Sequence, residues 1–252
     1  MTNKKIDMGK TIQASAIIGH RGLSALSPEN TLAAIKVAHL HKIDWIEVDA
    51  SILGDGTIVL CHDDTLNRCS DRQGSLLSIN QQDLLTIDAG SWFSDTFKGE
   101  PIPTLIEAFV LLSELNIGLN LELKAQQGVT PHTTVNLIYP LIKNHWKSNK
   151  PLLISSFDHE ILRLYRQRDP QQLLGPLYEI IEENWHTTMQ ELGAVSLHCD
   201  WQHLTLPLAI AIKTAGYQLF IYTCNDPDIA KKLWHMGVDS IISDVPHLLS
   251  PR

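Results

Sequence analysis

The chain has 252 residues, 44% hydrophobic and 19% charged, with 20 Lys and Arg against 28 Asp and Glu for a net charge of −8. That length supports one large domain with a sizeable core, and an acidic balance without any Lys/Arg block argues against a nucleic-acid partner. Nowhere is there an apolar stretch long enough to span a bilayer. Lys4 and Lys5 precede no signal-peptide-like run, and Cys61, Cys69, Cys199 and Cys224 show no paired metal spacing; the expectation is a cytoplasmic protein with free thiols and no stable membrane insertion.

Residues 1–14 are polar and read as a loose N-terminal tail ahead of a single domain, 15–252. Ala16-Ile17-Ile18-Gly19 is a short buried-type strand ending at His20-Arg21-Gly22. From Ser27-Pro28-Glu29-Asn30-Thr31 onward the period becomes helical, with apolar positions at Leu32, Ile35, Val37, Ala38 and Leu40.

Trp45 to Asp63 holds two runs rich in apolar and β-branched residues around Gly54-Asp55-Gly56, the pattern of a β-hairpin. With Asp55 and Gly56 as a two-residue type I′ loop, Gly54 faces Thr57 and Asp49 faces His62; a three-residue loop breaks that pairing. Alternation along the strand puts Glu47, Asp49 and Ser51 on one face and Ile46, Val48, Ala50 and Ile52 on the other. Two acids on one face of a strand whose other face is aliphatic call for a counter-charge, and a hard divalent cation such as Mg²⁺ or Ca²⁺ is one answer; a solvent-facing strand is the other.

Residues 64–103 are polar, show no sustained period and read as an insertion after the second strand. Leu105 to Leu115 is helical, and Ile117 to Lys124 alternates so that Glu122 and Lys124 point the same way. Helices follow at His132–Asn144, Asp158–Arg168, near Thr187–Leu192, at Pro207–Ala215 and at Pro227–His235. They alternate with strands at Leu152–Ser155, Leu173–Leu177, Ala194–His198, Gln218–Thr223 and Ser240–Ser243. Leaving aside the returning arm of the hairpin, eight strands each precede a loop and a helix. That is the pattern of a parallel (β/α)8 TIM barrel, whose active site lies at the C-terminal strand ends. His20, Glu47, Asp49, Glu122 and Lys124 then converge at one mouth.

The set His20-Arg21-Gly22, Pro28-Glu29-Asn30-Thr31, Glu47-Val48-Asp49, His62-Asp63, Glu122-Leu123-Lys124, Ser155-Ser156-Phe157 and Tyr222-Thr223 resembles, in order and spacing, the glycerophosphodiester phosphodiesterase family over about residues 16–246. The resemblance implies a metal-dependent barrel enzyme that hydrolyses small glycerophosphodiesters to glycerol 3-phosphate and an alcohol. It carries one divalent cation onto Glu47, Asp49 and Glu122, the catalytic pair onto His20 and His62, and phosphate contacts onto Arg21 and Lys124. The sequence departs from the pattern at Leu23, where a second glycine is usual, at Ser243-Asp244, where Thr-Asp is usual, and near Tyr222, where many members have Trp and this chain keeps an aromatic substrate wall with Tyr222.

The chemistry also stands on the residue types. Phosphodiester cleavage needs positive charge on the non-bridging oxygens, a base for the nucleophile and an acid for the leaving alcohol. Arg and Lys suit the first need and the two histidines suit the others. No Ser or Cys sits beside a base as a covalent nucleophile would, and the resemblance suggests the substrate's own 2-hydroxyl instead. Three other readings share parts of this pattern: a metal-dependent carbon–carbon lyase, an inactive phosphate-binding barrel and a lysophospholipase of the D type. His198, Asp200 and Trp201 at another strand end are candidates for the leaving-group pocket or for packing.

Overall fold

In the computed structural model, which describes residues 11–251, eight parallel strands close into a barrel with helices around it. The order is β1 Ile17–Gly19, α1 Leu32–Leu40, β2 Trp45–Ile52, β3 Ile58–Leu60, α2 Leu105–Leu115, β4 Gly118–Leu123, α3 Pro131–His145, β5 Leu152–Ser156 and α4 His159–Arg168. It continues with β6 Leu173–Tyr178, α5 Trp185–Leu192, β7 Ser196–Asp200, α6 Leu206–Thr214, β8 Gln218–Tyr222, α7 Pro227–His235 and β9 Ser240–Ser243. Strand β1 pairs in parallel with both β2 and β9, which closes the barrel, and β3 lies outside it as the antiparallel partner of β2. The expected fold is the observed one, except that β9 is followed only by a 3-10 turn, Pro246–Leu248.

Alternation sorts each barrel strand between two cores. Ile46, Val48, Leu119, Leu121, Ile154 and Ile241 pack outward against the helices, while Ile18, Trp45, Leu153, Val195, Phe220 and Ile242 form a separate cluster with Ile12. Trp45 fits because its neighbour on β4 is Gly118, where an added Cβ would lie 2.4 Å from the indole. Residues 1–10 of the expected tail lie outside the described residues. Ile12 does not behave as tail: it is buried and its backbone makes two hydrogen bonds to the Gln218 side chain, at 2.8 and 3.0 Å. Among the described residues, no helix is long and apolar enough to cross a membrane.

The hairpin register differs from the expected one by a residue. Ala50 faces Leu60 and Ile52 faces Ile58, so Asp49 lies opposite Cys61 and not His62. The loop holds three residues: Leu53 N–H donates to Thr57 O across it, and Gly56 has a φ of +87°. A type I′ turn would need positive φ at Asp55 as well, which costs more for a side chain than for glycine. The insertion also holds this loop, since Gly54 N–H donates to Ile79 O and a Cβ at Gly54 would lie 2.3 Å from Leu77 O.

Residues 64–103 contain three short 3-10 turns and a small core of their own, in which Leu66, Leu76, Leu84, Ile87, Ala89 and Ile102 pack on Leu53 and Val59 of the hairpin.

Candidate active site

Three carboxylates meet at the C-terminal mouth. Glu47, Asp49 and Glu122 each place an oxygen within 4.8 Å of the others, because β2 and β4 pair in register with Glu47 beside Asn120 and Asp49 beside Glu122. A cavity of about 180 Å³ opens beside them, lined by His20, Arg21, Glu47, His62, Glu122 and Tyr222, with Phe157 and Asn120 among its other walls. All eight candidate residues therefore gather in one place. His62 arrives by a different route from the expected one: β3 ends at Leu60 and the following bend carries His62 to the cavity.

The charges are unevenly matched. Lys124 Nζ lies 2.7 Å from Glu122 Oε1 and 3.4 Å from Asp49 Oδ1, and Arg21 Nε lies 3.3 Å from Asp49 Oδ2. Asn30 Nδ2 donates to Asp49 Oδ2 at 2.8 Å. Burial would raise the Asp49 carboxyl, but Lys124 and Arg21, with His62 and the Asn30 hydrogen bond, hold it below its usual range. Glu47 is the opposite case. Burial, and then the charges of Asp49 and Glu122, push its carboxyl well up. Its Oε2 accepts from the Arg21 backbone N–H at 3.1 Å, while its buried Oε1 has no partner among the described residues. Burial and Asp49 also raise Glu122 against the pull of Lys124.

These residues fit a hard divalent cation. Three carboxylates in bonding reach of one point are the donor set such ions favour, and the orphaned Glu47 oxygen is the atom that most needs one.

Each histidine is backed by an acid. His20 Nδ1 is 2.7 Å from Asp244 Oδ1, and its Nε2 is 3.9 Å from Glu47 Oε2. Hydrogen bonds from His20, Asn225 and Ser24 overcome the effect of burial and keep Asp244 far below the usual carboxylate range. His62 Nδ1 is 2.8 Å from Asp63 Oδ1, and Arg68 and His62 keep Asp63 ionised. Because both acids are acceptors, each histidine turns an N–H toward its carboxylate and leaves Nε2 for other chemistry. For His62, burial lowers the pKa, and Lys124 and Arg21 add to this against Asp49 and Asp63; its protonated form is the readier proton donor for it.

Sequence reasoning passed over three residues of this site. Asp244 follows the last residue of β9, and only barrel closure brings it to His20 just after β1, where Gly19 pairs with Ser243. Asn30 lies in the Pro28-Glu29-Asn30-Thr31 motif, and its left-handed φ of 56°, a conformation Asn tolerates, is what aims it at Asp49. Asn120, beside Glu47, has a buried Oδ1 without a partner among the described residues. His198 lies away from the cavity walls, fully buried, with Nε2 2.9 Å from Ser196 Oγ and its ring against Phe220. Of its two readings, packing is the one observed.

Residues 20–248 match the model of the glycerophosphoryl diester phosphodiesterase family. A glycerophosphodiester phosphodiesterase of Caldanaerobacter subterraneus subsp. tengcongensis is 33% identical over 234 residues, covering 92% of this chain and 95% of that protein. Glycerophosphodiester phosphodiesterase 1 of Rattus norvegicus is 33% identical over 240 residues, 89% of this chain and 70% of that protein. An Oleispira antarctica phosphodiesterase, solved in complex with the product sn-glycerol-3-phosphate, superposes with a TM-score of 0.89 at 36% identity over 92% of this chain and 93% of that one. With a closed barrel, an acidic mouth and this family match across nearly the whole chain, the protein belongs to the glycerophosphoryl diester phosphodiesterase family of hydrolases.

Proposed function

We propose that this protein hydrolyses glycerophosphodiesters to glycerol 3-phosphate and an alcohol, with one divalent cation, Mg²⁺ or Ca²⁺, held by Glu47, Asp49 and Glu122. The observation that carries the reading is the juxtaposition of the three acids with two carboxylate-backed histidines and two cations around one small cavity. The bound product of the Oleispira antarctica relative supports the glycerol phosphate half of the substrate. When bound, the cation supplies positive charge to the phosphate oxygens and acidifies a coordinated hydroxyl.

The rest falls to the protein's own residues. Arg21 and Lys124 hold the phosphate, the guanidinium offering a planar fork for its oxygens. His20 Nε2 takes the proton of the glycerol 2-hydroxyl as that oxygen bonds to phosphorus. The bond from phosphorus to the alcohol oxygen breaks, and His62 delivers its proton to the departing alkoxide. Water then opens the cyclic glycerol phosphate with the two histidines in exchanged roles. Asp244 and Asp63 keep each ring in one orientation, and Tyr222, edge-on to Phe157 at 5.8 Å, walls the pocket. A cytoplasmic setting belongs to the same proposal, in keeping with four free thiols.

The test is a coupled assay for glycerol 3-phosphate over a panel of glycerophosphodiesters, together with a substrate whose 2-hydroxyl is replaced by hydrogen. Turnover of the panel is expected, and the analogue should bind without being cleaved. An analogue cleaved as fast as its parent means that water attacks directly, and the cyclic route is then wrong while the metal and histidine roles stand.

A further inference from the structure

The ionic contacts behind the mouth form a chain, and its middle link comes from the insertion. Arg68 donates from Nε to Asp63 Oδ2 at 2.8 Å and from Nη2 to Asp63 Oδ1 at 3.0 Å. The same guanidinium donates from Nη1 to Glu29 Oε2 at 2.7 Å and from Nη2 to Glu29 Oε1 at 2.8 Å. One side chain thus grips two carboxylates, each by both oxygens. Each of those carboxylates has a second partner in the site: Asp63 Oδ1 meets His62 Nδ1 at 2.8 Å, and Glu29 Oε1 accepts from Arg21 Nη1 at 2.6 Å.

An ordinary exposed ion pair does little, because solvent screens it and two mobile side chains must be ordered. This arrangement differs in two respects. Both contacts are forked, which fixes direction as well as distance, and Glu29 is nearly buried, so neither of its oxygens has water as an easy alternative partner. The contact also spans 39 residues, from the loop after β1 to the first turn of the insertion. Among the described residues of the insertion, Arg68 is the side chain whose hydrogen bonds join Asp63 to Glu29.

We propose that Arg68 is a positioning residue, whose fork sets the His62 ring through Asp63 and the Arg21 guanidinium through Glu29 at the same time. The inference rests on the roles given above to His62 and Arg21. It makes the insertion part of the reacting geometry and not only a cover beside it. Without the fork, Asp63 keeps a single tether on the imidazole and Glu29 a single tether on Arg21. The proton donor and the phosphate clamp can then drift independently, and reacting groups misplaced by about 1 Å lose large factors in rate.

The experiment measures kcat and KM for a glycerophosphodiester in the full-length, metal-loaded enzyme and in Arg68→Ala, Arg68→Lys, Asp63→Asn, Glu29→Gln and His62→Ala, with thermal melts to verify folding. Arg68→Ala should lower kcat roughly 10-fold or more, the scale for losing an outer hydrogen-bond partner of a site residue, and should raise KM. Adding Arg68→Ala to Asp63→Asn should cost no further kcat, and adding it to Glu29→Gln should cost no further KM. Arg68→Lys keeps the charge without the fork and should resemble the alanine variant; it also serves if that variant does not fold. Wild-type kinetics in Arg68→Lys overturn the proposal, as do fully additive losses in the double variants. An unaffected His62→Ala enzyme overturns the assignment of His62 instead, so the two failures are told apart.

Discussion

Glu47 holds the least compensated charge in the mouth: it is buried between two other acids, and one of its oxygens is unpaired among the described residues. In metal-free protein this is a destabilising feature, of about 1–3 kcal/mol for an unsatisfied buried polar group. Glu47→Gln should therefore raise the melting temperature of chelated protein while turnover with metal is lost, the exchange of stability for function common at active sites. A chelated variant that melts lower than the parent contradicts the assignment of strain to this carboxylate. His198 makes a second prediction at this scale. Burial in the barrel depresses its pKa to about 3. Between there and the unfolded value near 6.5, the unfolded chain binds the extra proton. Stability is thus full above about pH 6.5 and falls as the pH is lowered toward 3, by about 2 kcal/mol between pH 7 and pH 5 if this shift acts alone. Urea midpoints at the two pH values should differ less in His198→Asn than in the wild type; an equal difference means another group governs the acid limb.

At the level of elements, the strands and helices could be read because their patterns are set locally. The acidic strand β2 is buried along its whole length, and helices such as α2 carry their own start signals, there a capping box between Thr104 and Glu107. What was not legible depends on parts of the chain far apart in sequence. The hairpin register turned on Leu77 and Ile79 pressing against Gly54. The expected strand Ala194–His198 starts two residues ahead of β7, because Val195 is apolar and already hydrogen-bonds to both neighbours, its N–H donating to Leu174 O and its C=O accepting from Gln218 N–H. Asp244 and the Arg68 to Glu29 contact needed the closed barrel and the folded insertion to become neighbours. The insertion's separate core makes it a local unit. Leu84→Ala should destabilise that unit by roughly 2–4 kcal/mol, and hydrogen exchange should quicken over residues 54–103 with the β4 to β9 amides unchanged. Faster exchange throughout the barrel would show instead that the two fold as one.

Over the whole molecule, the barrel joins functions that the chain keeps apart. The histidines come from the ends of β1 and β3, acids from β2 and β4, and aromatic rings from β5 and β8. With Glu29, Asp63 and Asp244 the mouth holds six carboxylates against the three cations Arg21, Arg68 and Lys124, a surplus of acid that an anionic phosphodiester would meet unless a further cation offset it. The proposed dependence of turnover on a bound divalent cation follows from that surplus. It is tested most directly by titrating exhaustively chelated protein with Mg²⁺ or Ca²⁺ in a calorimeter while glycerol 3-phosphate release is followed on matched samples, for the wild type and Glu122→Gln. No turnover is expected without metal, with recovery on binding of one equivalent and with weakened binding and lost turnover in the variant; a full rate in the chelated wild type, or unchanged metal affinity in Glu122→Gln, would contradict the cation's role.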